Sequence, residues 1–548
     1  MEKSVYVGID VGTTNTVVCL TNNYGMNNFI GPKNTGKKLF PSIVRFNDNN
    51  TAELVQMLNT VQKDLLKGNV VMDAKRIIGR KFNDEKVQRA RASCKAEIRK
   101  AENGYAAFYI PAWNRLVTPE EVYTIIINEI WERVKEEAGD AEIKGVTFTV
   151  PAEYKNEERV AIKRAIDASN VKHEYRILNE PCAASIAYGC NNTDRDGVYA
   201  MYDLGGGTFD TALIRIEDGK TFSILGVDGD PACGGSYFDE YIVKYIRGIF
   251  KEQAGGEIDL IDDEDGKSAE IEKRIRHNRT LYTLTECCKE AKEALISTDS
   301  ALVDLDSYGN FYRKEYEMDI EDVDISDEPE FSDDRSSYNL TRKCFNGMIG
   351  DRINNTIAIL ERCIQNAGLE NHDIKRILLV GGSSRIPLVR NTLEKRFGEG
   401  YTTQTENPDE VVARGADLYA MHKDLRDISI EDFAKWDICT KVRANGRVCY
   451  EPIIRRGEPL PIVNRVKKYK IPVSAMGYFK DVIAEGRIED ESSMNVLKEF
   501  ICDNITIEEK PTTIVYTWAM REDGILYFSI REEETGRVIQ SEIGIHAF

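Results

Sequence analysis

The decapeptide MYDLGGGTFD, Met201–Asp210, ends an apolar run on an acid, three glycines, a threonine and a second acid. Val198 to Tyr202 reads as a short buried strand, closed by the turn Gly205, Gly206 and Gly207. The same plan occurs in VYVGIDVGTTNT, Val5–Thr16, where Asp10 precedes Gly12, Thr13, Thr14 and Asn15. Glycines let a backbone approach an anion closely. Successive N–H groups can then cradle phosphate oxygens. Thr13, Thr14 and Thr208 add hydroxyls, and Asp10 and Asp203, at strand ends, suit Mg²⁺ held through water. Either turn alone passes for a hairpin. The pair, with acids and hydroxyls at matching offsets, reads as a phosphate clamp made by two facing halves. A third turn, LVGGSSRIP (Leu379–Pro387), sets Gly381, Gly382 and Ser383 after a strand and places Arg385 to stack on a flat ring.

The rest of the chain repeats the plan around these turns. Strands fill residues 1–50, a helix opened by TPEE covers 118–139, and GVTFTVPA is a strand before the helical KNEERVAIKRAIDAS. EPCAASIAYG reads as another helix, and a strand meander follows it. Residues 1–190 and 191–421 each begin with strands and a glycine turn and pass into helices, which predicts a duplicated α/β architecture. Residues 254–268 and the acidic 315–334 read as solvated loops. A polar linker, 422–435, leads to short alternating strands over 436–548, the pattern of a small antiparallel β-sandwich.

Composition narrows the partners. The net charge of −19 over 548 residues argues against nucleic acid or an anionic membrane as the main partner. No apolar run is long enough for a membrane span, and MEKSVYVGID lacks a signal-peptide profile, so a cytoplasmic location is expected. The 12 cysteines include no C-x-x-C and sit in apolar contexts such as Cys19, Cys182 and Cys363, which predicts free core thiols. The five histidines show no ligand spacing, so no zinc site is expected.

The motifs GIDVGTTNT, DAKRIIGRKF, VPAEYKNEER, ILNEPCAASIAYG, DLGGGTFD, GDPACGGSYFDEY, LVGGSSRIP and NPDEVVARGAD occur in this order. Together they resemble the seventy-kilodalton heat-shock chaperones, the DnaK-like branch of the actin-fold (ribonuclease H-like) ATPases, across essentially the whole chain. The resemblance implies an ATP-binding chaperone that hydrolyses Mg-ATP and binds unfolded or extended polypeptide, with co-chaperones as further partners. It implies that Asp10, Asp203 and Glu180 organise Mg²⁺ and the attacking water, with Asp210 in the same shell. Thr13, Thr208 and the loop Gly205–Gly207 would contact the phosphates. Gly234, Gly235, Lys292 and Asp409 would lie on the nucleoside side with Arg385, and Pro151 and Arg159 would couple the two domains.

Departures from the family pattern set the open questions. An ungapped count of fifteen residues back from Lys75, to where a family lysine is expected in the phosphate site, lands on Thr60, with Lys63 and Lys67 as substitutes on a shifted register. Lys289, Glu293 and Ile296 stand where the family has glutamate, arginine and serine, and Ser236 replaces a glutamate. These changes leave a second reading open: a nucleotide-binding sensor or adaptor with a vestigial ATPase. An actin-fold metabolite kinase is disfavoured by the C-terminal strands. The linker DLRDISIEDF is charged where the family has an apolar strand, which predicts no docking by that route. The chain stops near the start of the family's helical lid, so a lidless groove is expected, with Val448, Ala475 and Val482 near its pocket positions or in the sandwich core.

Overall fold

The computed structural model describes residues 4–543, less 23, 57–63, 65–66, 94–95, 192–195, 231, 255–267, 307–336, 405–406, 426–427, 445–446, 472–478 and 503–511. Thr60, Lys63, the acidic stretch 315–334, most of 254–268, Ala475 and the side chain of Val448 lie outside the described residues.

The first sheet is built from β1 (Ser4–Val11), β2 (Asn15–Asn22), β3 (Asn27–Ile30), β4 (Leu39–Pro41), β5 (Glu142–Val150) and β6 (Tyr175–Asn179). Its order is β6-β5-β1-β2-β3, with β4 on β2. β1 and β2 are buried along almost their whole length, which is why both read as near-continuous apolar runs. Helices α1 (Glu85–Ser93), α2 (Pro119–Ala138), α3 (Asn156–Asp167) and α4 (Glu180–Asn191) belong to this half. α2 starts where TPEE places it: Thr118 Oγ1 accepts from the Glu121 N–H, and the Glu121 carboxylate accepts from the Thr118 N–H.

The second sheet repeats the arrangement with β7 (Gly197–Leu204), β8 (Phe209–Glu217), β9 (Thr221–Asp230), β10 (Ile374–Val380), β11 (Thr402–Gln404) and β12 (Ser429–Glu431), in the order β11-β10-β7-β8-β9-β12. In both sheets the strand before the glycine turn has a parallel partner on one side and an antiparallel hairpin partner on the other. Helices α5 (Gly235–Ala254), α6 (Ser268–Ala294), α7 (Arg342–Asn366), α8 (Pro387–Phe397) and α9 (Val411–Leu425) complete this half.

α4 and α9 cross between the sheets, and one apolar cluster joins Cys182, Ala183 and Ile186 of α4 to Tyr199, Met201, Ile214, Leu378 and Leu418. The crossing is backbone-close, because a methyl at Gly415 would stand 1.6 Å from the Ala183 carbonyl oxygen. Gly415→Ala must separate the helices, and a loss of about 3 kcal/mol of stability is expected. Urea denaturation measures it.

β12 overturns the expectation for the linker. It adds to the edge of the second sheet, pairing Thr221 with Ser429, Phe222 with Ile430 and Ser223 with Glu431 in parallel. An edge strand needs apolar residues only on its inner face. Ile428 is buried and Ile430 packs on the cluster between the sheets, while Ser429 and Glu431 face out.

The C-terminal strands are β13 (Asp437–Ala444), β14 (Arg447–Ile454), β15 (Ile462–Ile471), β16 (Phe479–Arg487), β17 (Asp490–Cys502), β18 (Thr512–Met520), β19 (Leu526–Glu532) and β20 (Val538–Ile543). They form two four-stranded antiparallel sheets, β14-β13-β16-β17 and β15-β18-β19-β20. Ile438, Ile454 and Ile483 from one sheet and Ile514, Tyr516, Trp518 and Phe528 from the other share one core. Val482 is buried. Both sheets touch the first half of the chain. Arg159 donates to the Asp523 carbonyl at 3.0 Å, and Lys81 Nζ donates to the Val496 carbonyl at 2.6 Å. No helix among the described residues is long and apolar enough to cross a membrane.

Candidate functional site

The two glycine turns face each other across the cleft between the sheets. A methyl on Gly206 would stand 2.4 Å from Thr14 Oγ1, and one on Gly207 would stand 3.4 Å from Thr13 Cγ2. Gly205 N–H closes the second turn on the Thr208 carbonyl at 3.1 Å. The cleft, about 120 Å³, is lined by Asp10, Gly12, Thr13, Thr14, Asn15, Glu180, Asp203, Gly205, Gly206, Gly207, Thr208, Asp210, Gly381, Gly382 and Asp409. Residues from three separate turns thus meet in one space. Gly381, at φ +78°, takes a left-handed turn that brings its backbone against Asp203 and Leu204, where a side chain would stand 2.5 Å from the Asp203 carboxylate.

The remaining sequence-predicted residues form the wall beyond. Gly234 packs against the backbone of Gly205–Gly207. Gly235 lies where a methyl would meet Ser383 Oγ at 2.6 Å and Lys292 Nζ at 3.2 Å. Lys292 is buried, ion-paired with Asp239 at 2.7 Å, and donates to the Gly235 carbonyl at 3.0 Å, so it braces this turn. Arg385 is held at the rim by Asp409 at 3.1 Å and by the Asn407 side-chain oxygen at 2.7 Å. Ser236 takes a bond of 2.8 Å from Arg76 and donates to the Gly206 carbonyl at 2.8 Å, which ties the second turn to the first half of the chain. Glu293 is exposed.

Counting from Lys75 missed the lysine of the site, which is Lys75 itself. It lines the cleft, and its Nζ sits 2.7 Å from Glu180 Oε1. The signal was present in DAKRIIGRKF, but the ungapped count used Lys75 as a ruler and pointed to Thr60. Lys67, the described substitute, is exposed. Thr149 was also missed: its hydroxyl donates to Asp10 Oδ1 at 2.8 Å and orients that carboxylate from the neighbouring strand.

The electrostatics of the cleft call for a cation. Burial, then the charges of Glu180, Asp210 and Asp10, hold the Asp203 carboxyl well above the usual carboxylate range. Burial pushes Glu180 up to about 7 against the pull of Lys75. Burial also raises Asp210, although the Thr208 hydroxyl donates to it at 2.9 Å. Burial disfavours the charged form of Lys75, but Glu180, Tyr123 and Asp10 outweigh it and raise its pKa well above that of a free amine. One ammonium among several crowded carboxylates is too little positive charge. No three acids among the described residues are gathered to bind a metal directly, so these oxygens would fit a Mg²⁺ ion only through its water shell.

Comparison with known proteins agrees with this geometry. Residues 6–547 match the family described as Hsp70 protein. The chain is 32% identical over 424 residues to the chaperone protein HscA homolog of Pseudoalteromonas atlantica, covering 76% of this chain and 58% of that relative. The chain therefore spans under two thirds of the length of that curated relative.

Proposed function

The chain belongs to the Hsp70 family, and from that premise we propose that it is an ATP-binding molecular chaperone that hydrolyses Mg-ATP slowly and couples this to binding of unfolded polypeptide. The observation that carries the reading is the Lys75–Glu180 pair at the junction of two opposed glycine turns. The turn N–H groups and the hydroxyls of Thr13 and Thr208 hold the phosphates. Asp10 and Asp203 would hold Mg²⁺ through its waters, and the ion, when bound, would supply positive charge against the phosphates. Glu180, fixed by Lys75, accepts a hydrogen bond from the attacking water and orients it. Lys75 stabilises the charge that grows as the terminal phosphate leaves. Arg385 covers one face of the base.

The matching strand orders support two lobes, 1–190 and 191–421, related by duplication, and the shared core of the C-terminal sheets supports a sandwich over 436–548. Clients and co-chaperones of the family's kind are the partners, in the cytoplasm, with no role for nucleic acid or membrane. Thr60 and the changed residues of the nucleoside side were the grounds for a vestigial ATPase, and Lys75 in the cleft supports hydrolysis instead.

Two measurements test the proposal on the full chain. Phosphate release from Mg-ATP is expected at rates well below the roughly 10 s⁻¹ typical of enzymes. Affinity for a labelled extended apolar peptide is expected to differ at least severalfold between the ATP and ADP states. No release above the no-protein control would sink the hydrolytic reading. Equal peptide affinity in both states would sink the coupling.

A further inference from the structure

A second cavity, about 90 Å³, opens behind the first and shares Thr13, Lys75, Glu180, Thr208 and Asp210 with it. It runs outward between the start of α1 and the segment carrying Ala232 and Tyr237. Its outer wall carries four cations, Arg76, Arg80, Lys86 and Arg89, with Glu153 and Glu158 as the acids beside them. Most of these cations are committed. Arg80 is tied to Glu158 and Asp84, and Arg89 to Glu85. Arg76 reaches Asp73 at 3.5 Å and Ser236 at 2.8 Å, yet its Nε is buried with no hydrogen-bond partner. The half-buried Lys86 has no ion-pair partner among the described residues, and its charge acts on Glu153 and Asp210.

We propose that this second cavity is an anion site through which inorganic phosphate leaves the cleft, with Lys86 and Arg76 as its receiving groups. The inference rests on the hydrolytic reading above. With the phosphates of ADP held in the glycine turns, the nucleotide stands in the first mouth. The freed phosphate lies at the Lys75–Glu180 junction, from which the second cavity leads to solvent. A phosphate dianion leaving carboxylates behind needs positive charge ahead of it, and an uncommitted ammonium supplies it without breaking an existing pair. Lys86 lines the second cavity and not the cleft of the glycine turns, which places it to act after the bond is cleaved.

The test separates cleavage from release. In a single turnover of Mg-ATP by the full chain, acid quench reads bond cleavage and a fluorescent phosphate-binding reporter reads release. Lys86→Gln is expected to leave cleavage within twofold and slow release about fivefold, with Lys86→Arg restoring it. Added salt is expected to slow release by the unmodified chain. Release unchanged in Lys86→Gln, or slowed only in step with cleavage, overturns the proposal. If the unmodified chain cleaves no ATP, the hydrolytic reading falls separately. Titration of the nucleotide-free chain with inorganic phosphate then decides the site by itself: weaker binding in Lys86→Gln supports it, and equal binding overturns it.

Discussion

Lys75→Ala is expected to lower single-turnover cleavage of Mg-ATP by about 10²- to 10³-fold, about 3 to 4 kcal/mol in the barrier, while ADP affinity changes little. Two effects combine. The ammonium is the one Lys or Arg side chain among the described residues that line the cleft, so on the proposed mechanism its loss removes stabilisation of charge that grows only in the transition state. Its loss also frees Glu180. That carboxyl already sits at about 7 with Lys75 2.7 Å away, and without the ammonium its pKa moves higher still. A larger share is then protonated at neutral pH and is a weaker acceptor for the hydrogen bond that orients the water. The decisive readout is therefore the pH profile as well as the rate. Activity that recovers towards higher pH in Lys75→Ala shows Glu180 titrating. A flat profile with near-normal cleavage would show that the ammonium has no part in the chemistry.

Sequence and structure agree most closely where one residue type has one physical use. That Asp203, Gly205–Gly207 and Thr208 would meet Asp10–Thr14 in one cleft was legible, because the same acid, glycine turn and hydroxyl follow a buried strand twice, at turns that also close antiparallel hairpins. The start of α2 was legible through the reciprocal bonds of Thr118 and Glu121. Lys75 was not, because a lone lysine has many uses and only the packing of its turn against α1 and α2 aims it at Glu180. The edge strand β12 was hidden by composition. DLRDISIEDF looks charged as a whole, but pairing uses only the alternation around Ile428 and Ile430. The bonds from α3 to the C-terminal sheets join residues 329 and 370 positions apart, such as Asn156 with Glu485 and with Leu526, and no local pattern reports them.

Those bonds carry the second large effect. Glu485 projects from β16 into the interface and is almost fully buried there, accepting from the Asn156 N–H at the start of α3 at 3.1 Å. Burial pushes its carboxyl up to about 7, although Lys155 and the Asn156 bond pull it down, and Glu157 and Glu158 add to the rise. Asn495 and Tyr105 hold Glu157, and Arg80 holds Glu158, so those two acids keep fixed partners. Arg159 and Asp432 line the same small cavity. When the C-terminal sheets swing away, Glu485 meets water and returns to its ordinary value near 4.5. The docked form therefore binds more protons than the undocked form between about 4.5 and 7. Docking is strongest below that window, weakens as pH rises through it, and is lowest and flat above it. A shift of this size is worth about 3 kcal/mol, roughly 10²-fold in the docking equilibrium. Glu485→Gln keeps an oxygen for the Asn156 N–H and removes the charge. It is expected to hold the chain docked at pH 8 and to erase the dependence between pH 5 and 8. Small-angle X-ray scattering measures this directly, as a radius of gyration that grows with pH in the unmodified chain and stays constant in the variant. A variant that expands with pH as the unmodified chain does would assign the titration to another group of the interface.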